Sequence, residues 1–288
     1  MRSLKMTAAL LALVMLIAAQ CAAVEEKVLY DGKPAAEAGI TIGPWGSGAV
    51  EESTDQIVAN SKSIKIASQG LYSGARIDFS PSVTLYTDTP SNSEYLRLLI
   101  SFSSMDSIPS VLEFGEPTVR PRVTKIRVVL YPDGEDVPLI EAVIPVGATD
   151  QDGWWPVAMP LLQFKAPIGE KMLKIKRMII CSDAVETMFL GEIRTITDTT
   201  PIVVEPLDMQ VTQANYPVAL VGVATGGISP LAYYWDFNKG DGIQEDAFGE
   251  QIVHMFRKPG EYTATLTVKD VFGVKKPATT TVSIEINE

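Results

Sequence analysis

The strongest constraint on this fold is a strictly alternating stretch near the C-terminal end of the chain. Its apolar side is Tyr262, Ala264, Leu266 and Val268, and its polar side is Thr263, Thr265, Thr267 and Lys269. Period-two alternation is typical of a β-strand with one buried face. Pro259-Gly260 directly precedes the stretch and predicts a turn there. Upstream, Tyr234-Trp235-Asp236-Phe237 alternates in the same way and predicts a second strand.

These two strands belong to a longer motif. Its residues are Trp235, Asp236, Phe237, Asp241, Gly242, His254, Phe256, Pro259, Gly260, Tyr262, Leu266, Val268 and Asp270. The motif resembles that of the PKD domain, an immunoglobulin-like β-sandwich of extracellular proteins. The departure from the family pattern is Asn238-Lys239-Gly240, which lengthens the turn. The resemblance implies a non-enzymatic spacer, adhesion or binding module over residues 201–288, with a structural core that contains Trp235, Phe237, His254, Tyr262 and Leu266.

The charge balance bears on the kind of partner. The chain of 288 residues has 24 Lys+Arg and 35 Asp+Glu, a formal net charge of -11. Such a length favours two domains. An acidic excess argues against a nucleic acid or an anionic membrane as the partner, because basic patches usually bind both. The sequence therefore favours a neutral or cationic partner.

Residues 1–23 are interpreted as a signal peptide. Arg2 and Lys5 form a positive start, Thr7–Ala19 is an apolar run too short for a comfortable membrane span, and Cys21-Ala22-Ala23 offers a cleavage site. We therefore predict a bacterial protein that is secreted, periplasmic or on the cell surface, with no transmembrane segment in the mature chain. Two alternatives stay open: an uncleaved anchor, and lipid attachment at Cys21, which Gln20 disfavours because lipoboxes carry a small residue there.

Residues 24–200 read as a first all-β domain. Alternating segments such as Tyr95–Phe102 and Thr124–Leu130 are separated by turn clusters, and no helix-period segment of similar strength intervenes. This pattern predicts a jelly-roll β-sandwich. Four segments resemble galactose-binding-like jelly rolls and carbohydrate-binding modules: Ser61–Ile66, Tyr72–Ala75, Gly153–Leu161 and Phe189–Ile193. The Thr- and Pro-rich stretch Thr195–Pro206 predicts the junction with the second domain.

Catalytic motifs are absent from the sequence. It contains no Gly-x-Ser-x-Gly elbow, no Cys-x-x-Cys pair, no His-Glu-x-x-His and no phosphate loop, and His254 is its only histidine. We therefore predict that the protein is not an enzyme. The predicted function is non-catalytic binding of a polysaccharide or surface glycan by the jelly roll, with the PKD-like domain as spacer or adhesion module. The alternative is a structural or adhesive surface protein whose sandwiches contact other proteins.

Two candidate sites follow from the residue types. Asp236, Asn238, Asp241 and Glu245 supply oxygen atoms near a glycine-containing turn, as a Ca²⁺ site requires, although Asp236 could instead cap the turn. Exposed aromatic side chains are the candidates for stacking on sugar rings: Trp45, Trp154, Trp155 and Tyr72. Trp154 and Trp155 are adjacent, so at most one of them can face a ligand. Trp45 lies between glycines, which predicts either a free loop tip or a plug over one end of the sandwich.

Overall fold

The computed structural model describes residues 26–87, 93–112, 115–134, 140–146, 152–164, 172–238, 240 and 245–288. These residues form β-strands joined by turns, with one short 3-10 turn at Leu161–Gln163. Within these ranges, no helix has the length and apolarity needed to cross a bilayer. The predicted signal peptide and Cys21 lie outside the described residues.

The described residues of the first domain form thirteen strands, eleven of which build two stacked sheets. They are β1 (Val28–Tyr30), β2 (Ile40–Trp45), β3 (Ala49–Ser53), β4 (Ser63–Gln69), β5 (Gly74–Thr87), β6 (Glu94–Phe102), β7 (Met105–Ile108), β8 (Thr118–Pro121), β9 (Lys125–Pro132), β10 (Ile140–Pro145), β11 (Trp155–Pro160), β12 (Met172–Ser182) and β13 (Val185–Thr197). The first sheet has the order β11-β6-β13-β4-β3, with β1 also paired to β13. The second sheet has the order β10-β9-β12-β5-β2, and β7 with β8 forms a separate hairpin.

The core of this domain lies between the two sheets and follows from strand alternation. In β9, Ile126, Val128 and Leu130 are fully buried in the large hydrophobic cluster that joins the sheets. Their neighbours Arg127 and Tyr131 point to the opposite side of the second sheet, because successive side chains of a strand alternate between its faces. This alternation places charged and aromatic side chains on the side of the second sheet that points away from the core.

The described residues of the second domain form nine strands. They are β14 (Val203–Val204), β15 (Gln210–Gln213), β16 (Pro217–Val221), β17 (Ala224–Thr225), β18 (Leu231–Asp236), β19 (Ala247–Phe248), β20 (Gln251–Met255), β21 (Gly260–Asp270) and β22 (Ala278–Asn287). A five-stranded sheet, β15-β22-β21-β18-β19, faces the pairs β16-β20 and β14-β17. Trp235, Leu266 and Val268 are fully buried in a second hydrophobic cluster. The predicted all-β architecture, a sandwich followed by an immunoglobulin-like sandwich, is confirmed.

The alternation predicted for the C-terminal strand matches its burial. Ala264, Leu266 and Val268 are completely inaccessible to solvent, and Tyr262 packs partly buried against the same cluster. Trp235 donates a hydrogen bond from Nε1 to the carbonyl of Gly249 at 2.9 Å, so its only polar atom is satisfied inside the core.

The two hydrophobic clusters are joined by a polar junction. Asp198, just after β13, accepts a hydrogen bond from Lys275 Nζ of the second domain at 2.6 Å. Tyr95 and Ser229 are linked through their hydroxyl groups at 2.9 Å, and Arg120 forms an ion pair with Glu250. The Thr- and Pro-rich stretch was expected to separate the domains, yet several side chains bond across it. The boundary at residues 200/201 stays a prediction.

Candidate functional site

The candidate site is the side of the second sheet that points away from the core, which we call the outer face. Its central part consists of Trp45, Gly74, Arg76, Asp78, Arg127, Val129, Tyr131, Glu141, Arg177, Ile179 and Cys181, with Tyr72 at its margin. These residues occupy alternate positions on all five strands of the sheet. The outer face therefore combines aromatic rings with charged groups.

One line of residues crosses four strands of this face. Trp45 pairs with Gly74 between β2 and β5, and Cys181 pairs with Arg127 between β12 and β9. Gly74 lies against Cys181, since a Cβ atom at Gly74 would come within 3.1 Å of the sulfur atom. With strands about 4.8 Å apart, three intervals span roughly 14 Å between the ends of this line. Two aromatic groups, Trp45 at one end and Tyr72 near Arg127 at the other, bracket the face.

Trp45 is the last residue of β2 and folds onto the outer face. Its ring meets that of Tyr131 edge-on, with centroids 6.3 Å apart, and it packs partly buried against the cluster formed by Val129, Tyr131, Ile179 and Cys181. Gly74 lies opposite Trp45 on β5 and has no side chain that would prevent the Trp45 ring from lying across the outer face. Both sequence-based alternatives for Trp45, a free loop tip and a plug over the end of the sandwich, are wrong, because the strand continues through Pro44 to Trp45.

Tyr72 is the most accessible aromatic residue of the site, with 70% of its surface exposed. The guanidinium of Arg127 lies 4.7 Å from the centroid of its ring. Arg127 is itself held in place by Glu141, through bonds of 2.6 and 2.8 Å, and by the carbonyl of Leu71 at 3.0 Å. The exposed ring therefore rests on a fixed cation.

The bond between these two charges shifts both of their pKa values. Hydrogen bonding to Glu141 raises the pKa of Arg127, although burial opposes that shift. The same hydrogen bond lowers the pKa of Glu141, and burial again opposes the shift. Glu141 is therefore ionised at neutral pH, and the pair is a fixed set of hydrogen-bonding groups rather than a proton donor.

A second charged group lies near Tyr131. Asp78 stands between two guanidinium groups, with Arg76 Nε at 2.9 Å and Arg177 Nε at 2.5 Å. The guanidinium of Arg177 is 5.7 Å from the centroid of the Tyr131 ring. The guanidinium of Arg76 lies above Gly43, where an added Cβ atom would come within 3.1 Å of it. Asp78 thus orients two cations beside the Trp45–Tyr131 pair.

The other two tryptophans lie away from this face. Trp155 is 2% exposed and belongs to the core between the sheets. Trp154 is 6% exposed on the outer side of the first sheet, where it packs with Leu99 and Phe189. They point in opposite directions, as their adjacency predicted, but both are covered. Of the four aromatic candidates, the structure brings together Trp45 and Tyr72 only.

The predicted calcium ligands that the structure describes, Asp236, Asn238 and Glu245, bond to other protein groups. Asp236 is buried and accepts a hydrogen bond from the backbone N–H of Asn238 at 2.9 Å, the capping role that was the alternative. Glu245 accepts a hydrogen bond from Lys269 at 2.5 Å. Asp241 lies outside the described residues. Among the residues that are described, no group of three or more His, Cys, Asp or Glu side chains could hold a metal ion.

His254 lies in an aromatic stack rather than in a cleft. Its ring stacks on Phe237 with centroids 3.8 Å apart and meets Phe256 at 4.6 Å. Burial lowers the pKa of His254, with Asp246 acting in the opposite direction. The neutral imidazole is therefore a packing group of the second domain, alongside Tyr262, whose ring is 4.4 Å from that of Phe256.

A cleft of about 660 Å³ lies where the two domains meet. It is lined by Arg120, Glu250 and Tyr233, together with the chain from Val221 to Gly227. Arg120 and Glu250 bind each other there, and Tyr233 is buried. The cleft presents no exposed aromatic ring among its lining residues.

Sequence reasoning missed most of the outer face. Tyr131, Arg76, Arg127, Arg177, Asp78 and Glu141 were not among its candidates. A signal was present in β9, where the alternation that buries Val128 and Leu130 must send Arg127 and Tyr131 outward. Nothing local, however, indicates that Glu141 bonds Arg127 or that Trp45 reaches Tyr131.

The second domain matches one family model. Residues 199–286 match the family model of the PKD domain. The chain ends in a PKD domain. The predicted resemblance is thereby confirmed for this part of the chain, and the β-sandwich formed by Trp235, Leu266 and their neighbours is its core.

Solved structures provide weaker likenesses. The PKD domain of human KIAA0319 is 12% identical, covering 31% of this chain and 82% of that one, with a TM-score of 0.25. The C-terminal family 22 carbohydrate-binding module of Clostridium thermocellum Xyn10B is 14% identical, covering 62% and 94%, with a TM-score of 0.33. The N-terminal modules of the same xylanase, complexed with xylohexaose, are 11% identical, covering 68% and 34%, with a TM-score of 0.36. No curated protein sequence matches significantly.

Proposed function

We propose that the first domain binds carbohydrate on its outer face without catalysing a reaction, and that the PKD domain presents it. The observation that supports this is the line from Trp45 to Arg127 and Tyr72, which places two aromatic rings and several charged groups on one side of a sheet. Carbohydrate-binding surfaces need this combination, because sugar rings have apolar faces and a rim of hydroxyl groups.

Each component has a distinct role in such binding. Tyr72, with most of its ring exposed, offers a platform on which the C–H face of a sugar can stack. Trp45 and Tyr131, whose rings meet edge-on, form an apolar floor on the same face. Arg127 and Glu141 supply donors and acceptors to hydroxyl groups, and their mutual bonds fix them before a ligand arrives. Such preorganisation reduces the entropy lost on binding.

The carboxylates of this face are poorly suited to glycoside hydrolysis. A hydrolase needs one carboxylic acid whose pKa is raised, so that it can protonate the leaving oxygen. The pKa of Glu141 is lowered by Arg127, and Asp78 lies between two guanidinium groups. This arrangement supports a binding role over a catalytic one.

We propose export to the cell surface or exterior as the setting, from the signal-like start of the sequence.

The test is binding of a polysaccharide panel by the whole protein, read by affinity electrophoresis and by tryptophan fluorescence. Tyr72→Ala should weaken binding of any retained glycan by about tenfold, equivalent to about 1.4 kcal/mol. Trp45→Ala should weaken binding as well and remove the ligand-induced change in emission.

Tyr216→Ala is the matched control, because Tyr216 is 60% exposed but lies in the PKD domain. It should bind like the parent protein. Failure of every glycan in a broad panel to bind, or equal effects of Tyr72→Ala and Tyr216→Ala, would contradict the proposed function.

A further inference from the structure

The charge of the second sheet differs sharply from that of the whole chain. Its five strands carry six Lys or Arg residues and two Asp or Glu residues. The whole chain has 24 Lys or Arg residues and 35 Asp or Glu residues. A quarter of the basic residues but very few of the acidic ones are therefore concentrated in this sheet. The face proposed to bind carbohydrate is therefore basic, although the protein as a whole is acidic.

The inner side of the sheet is apolar, so these charges belong to the outer face. They are Arg76, Lys125, Arg127, Lys174, Lys176 and Arg177 on the basic side, and Asp78 and Glu141 on the acidic side. Strand alternation explains the segregation in β12, where Leu173 and Ile175 are buried in the core and Lys174 between them is exposed.

The carboxylates neutralise this face unequally. Arg127 and Glu141 form a pair with no net charge. Asp78 is shared between Arg76 and Arg177, which leaves one positive charge on that group of three. The side chains of Arg76 and Arg177 keep 37% and 27% of their surface exposed. An accessible positive charge therefore lies beside the apolar floor of Trp45 and Tyr131.

We infer that the carbohydrate bound here is anionic and carries carboxylate groups, as polysaccharides that contain uronic acids do. This inference rests on the proposed function and adds the chemical class of the ligand. A sugar ring on Trp45 and Tyr131 places its carboxylate toward Arg76 and Arg177, whose planar guanidinium groups match a carboxylate in geometry. The negative charge of the rest of the chain repels a polyanion, so binding is confined to this face. This inference departs from the neutral or cationic partner expected from the overall charge.

The experiment compares pairs of ligands that differ only at the carboxyl group of the sugar. Each of several uronic-acid polysaccharides is offered to the whole protein in its native form and after reduction of its carboxyl groups to alcohols. The native form should bind about tenfold more tightly, because a hydrogen bond between two charged groups is stronger than a neutral one. The difference should shrink as salt is added, since ionic screening weakens accessible charge pairs.

Substitutions in the group of three give effects of opposite sign. Arg76→Gln should lower the affinity for the native, charged polymer to about that for its reduced, neutral form. Asp78→Asn removes a negative charge and keeps both cations, so it should increase the preference for the charged polymer. Arg257→Gln is the control, because Arg257 is an exposed arginine of the PKD domain. Far-UV circular dichroism checks that each variant is folded.

The outcomes separate this inference from the proposed function. Equal binding of native and reduced polymers, still dependent on Tyr72, would overturn the anionic ligand and leave carbohydrate binding intact. No binding of any polymer would overturn both. Single-stranded DNA is the remaining probe, and DNA binding that is tighter than any polysaccharide and lost in Arg76→Gln would assign the face to nucleic acid and overturn the inference.

Discussion

Replacing Lys275 with methionine should destabilise the protein substantially, because it leaves a buried carboxylate without its cation. The side chains of Lys275 and Asp198 are 9% and 7% exposed. Lys275 Nζ donates to Asp198 Oδ2 at 2.6 Å and to the carbonyl of Gly226 at 2.5 Å. Asp198 also accepts the backbone N–H groups of Thr200 and Ile228, each at 2.9 Å. The pair joins the end of the first domain to a loop of the PKD domain.

Removing one partner of a buried ion pair costs about 3–5 kcal/mol. Asp198 would keep two backbone hydrogen bonds, so we expect a loss of about 3 kcal/mol for Lys275→Met. Lys269→Met is the control, since Lys269 and Glu245 form an ion pair in which both side chains are 39% exposed. It should cost less than about 1 kcal/mol. The double variant Asp198→Asn/Lys275→Met should be less destabilised than the sum of the single variants.

The assay is urea unfolding, followed by far-UV circular dichroism and by tryptophan fluorescence. A pH series adds a second readout. Burial tends to raise the pKa of Asp198, but hydrogen bonds from Lys275, Ile228 and Thr200 outweigh it and lower that pKa. Its contribution is therefore present above the unfolded-state pKa of about 3.9 and is lost as pH falls through the folded-state value. If Lys275→Met costs no more than Lys269→Met, the junction is not the buried pair described here.

Three further predictions concern buried groups. Trp235→Ala should cost about 3–5 kcal/mol in the same unfolding assay, because Trp235 is 0% exposed, and a loss below about 1 kcal/mol would show that the strand register is wrong. Burial raises the pKa of Cys181 to about 11, so a thiol reagent at pH 8 should label it only after unfolding, and rapid labelling of the native protein that is absent in Cys181→Ser would refute its burial. Burial lowers the pKa of His254, so its contribution to stability is present above the unfolded-state pKa of about 6.5 and declines as pH falls below that value. His254→Gln should flatten the decline in stability. A pH profile that the substitution leaves unchanged would contradict this role of His254.

The sequence by itself determined the fold class and most of the PKD core. Alternation at period two shows which side chains of a strand share a face, and it correctly placed Ala264, Leu266 and Val268 inside. The motif around Trp235 then identified the family, because its residue types and spacing are specific. Strand alternation and motif spacing are both local properties of the sequence, so they can be recognised without knowing which strands are neighbours in the sheet.

The tertiary structure alone decided which functional groups meet. Trp45 and Tyr131 touch because β2 and β9 belong to one sheet with β5 and β12 between them, an order that alternation does not encode. Burial of Trp154 likewise depends on residues from other strands, and a local pattern cannot distinguish a covered tryptophan from an exposed one. Asp198 and Lys275 are 77 positions apart and meet only where the domains join. Contacts between distant segments arise from packing of whole sheets, and for that reason the site lay beyond what the sequence could predict.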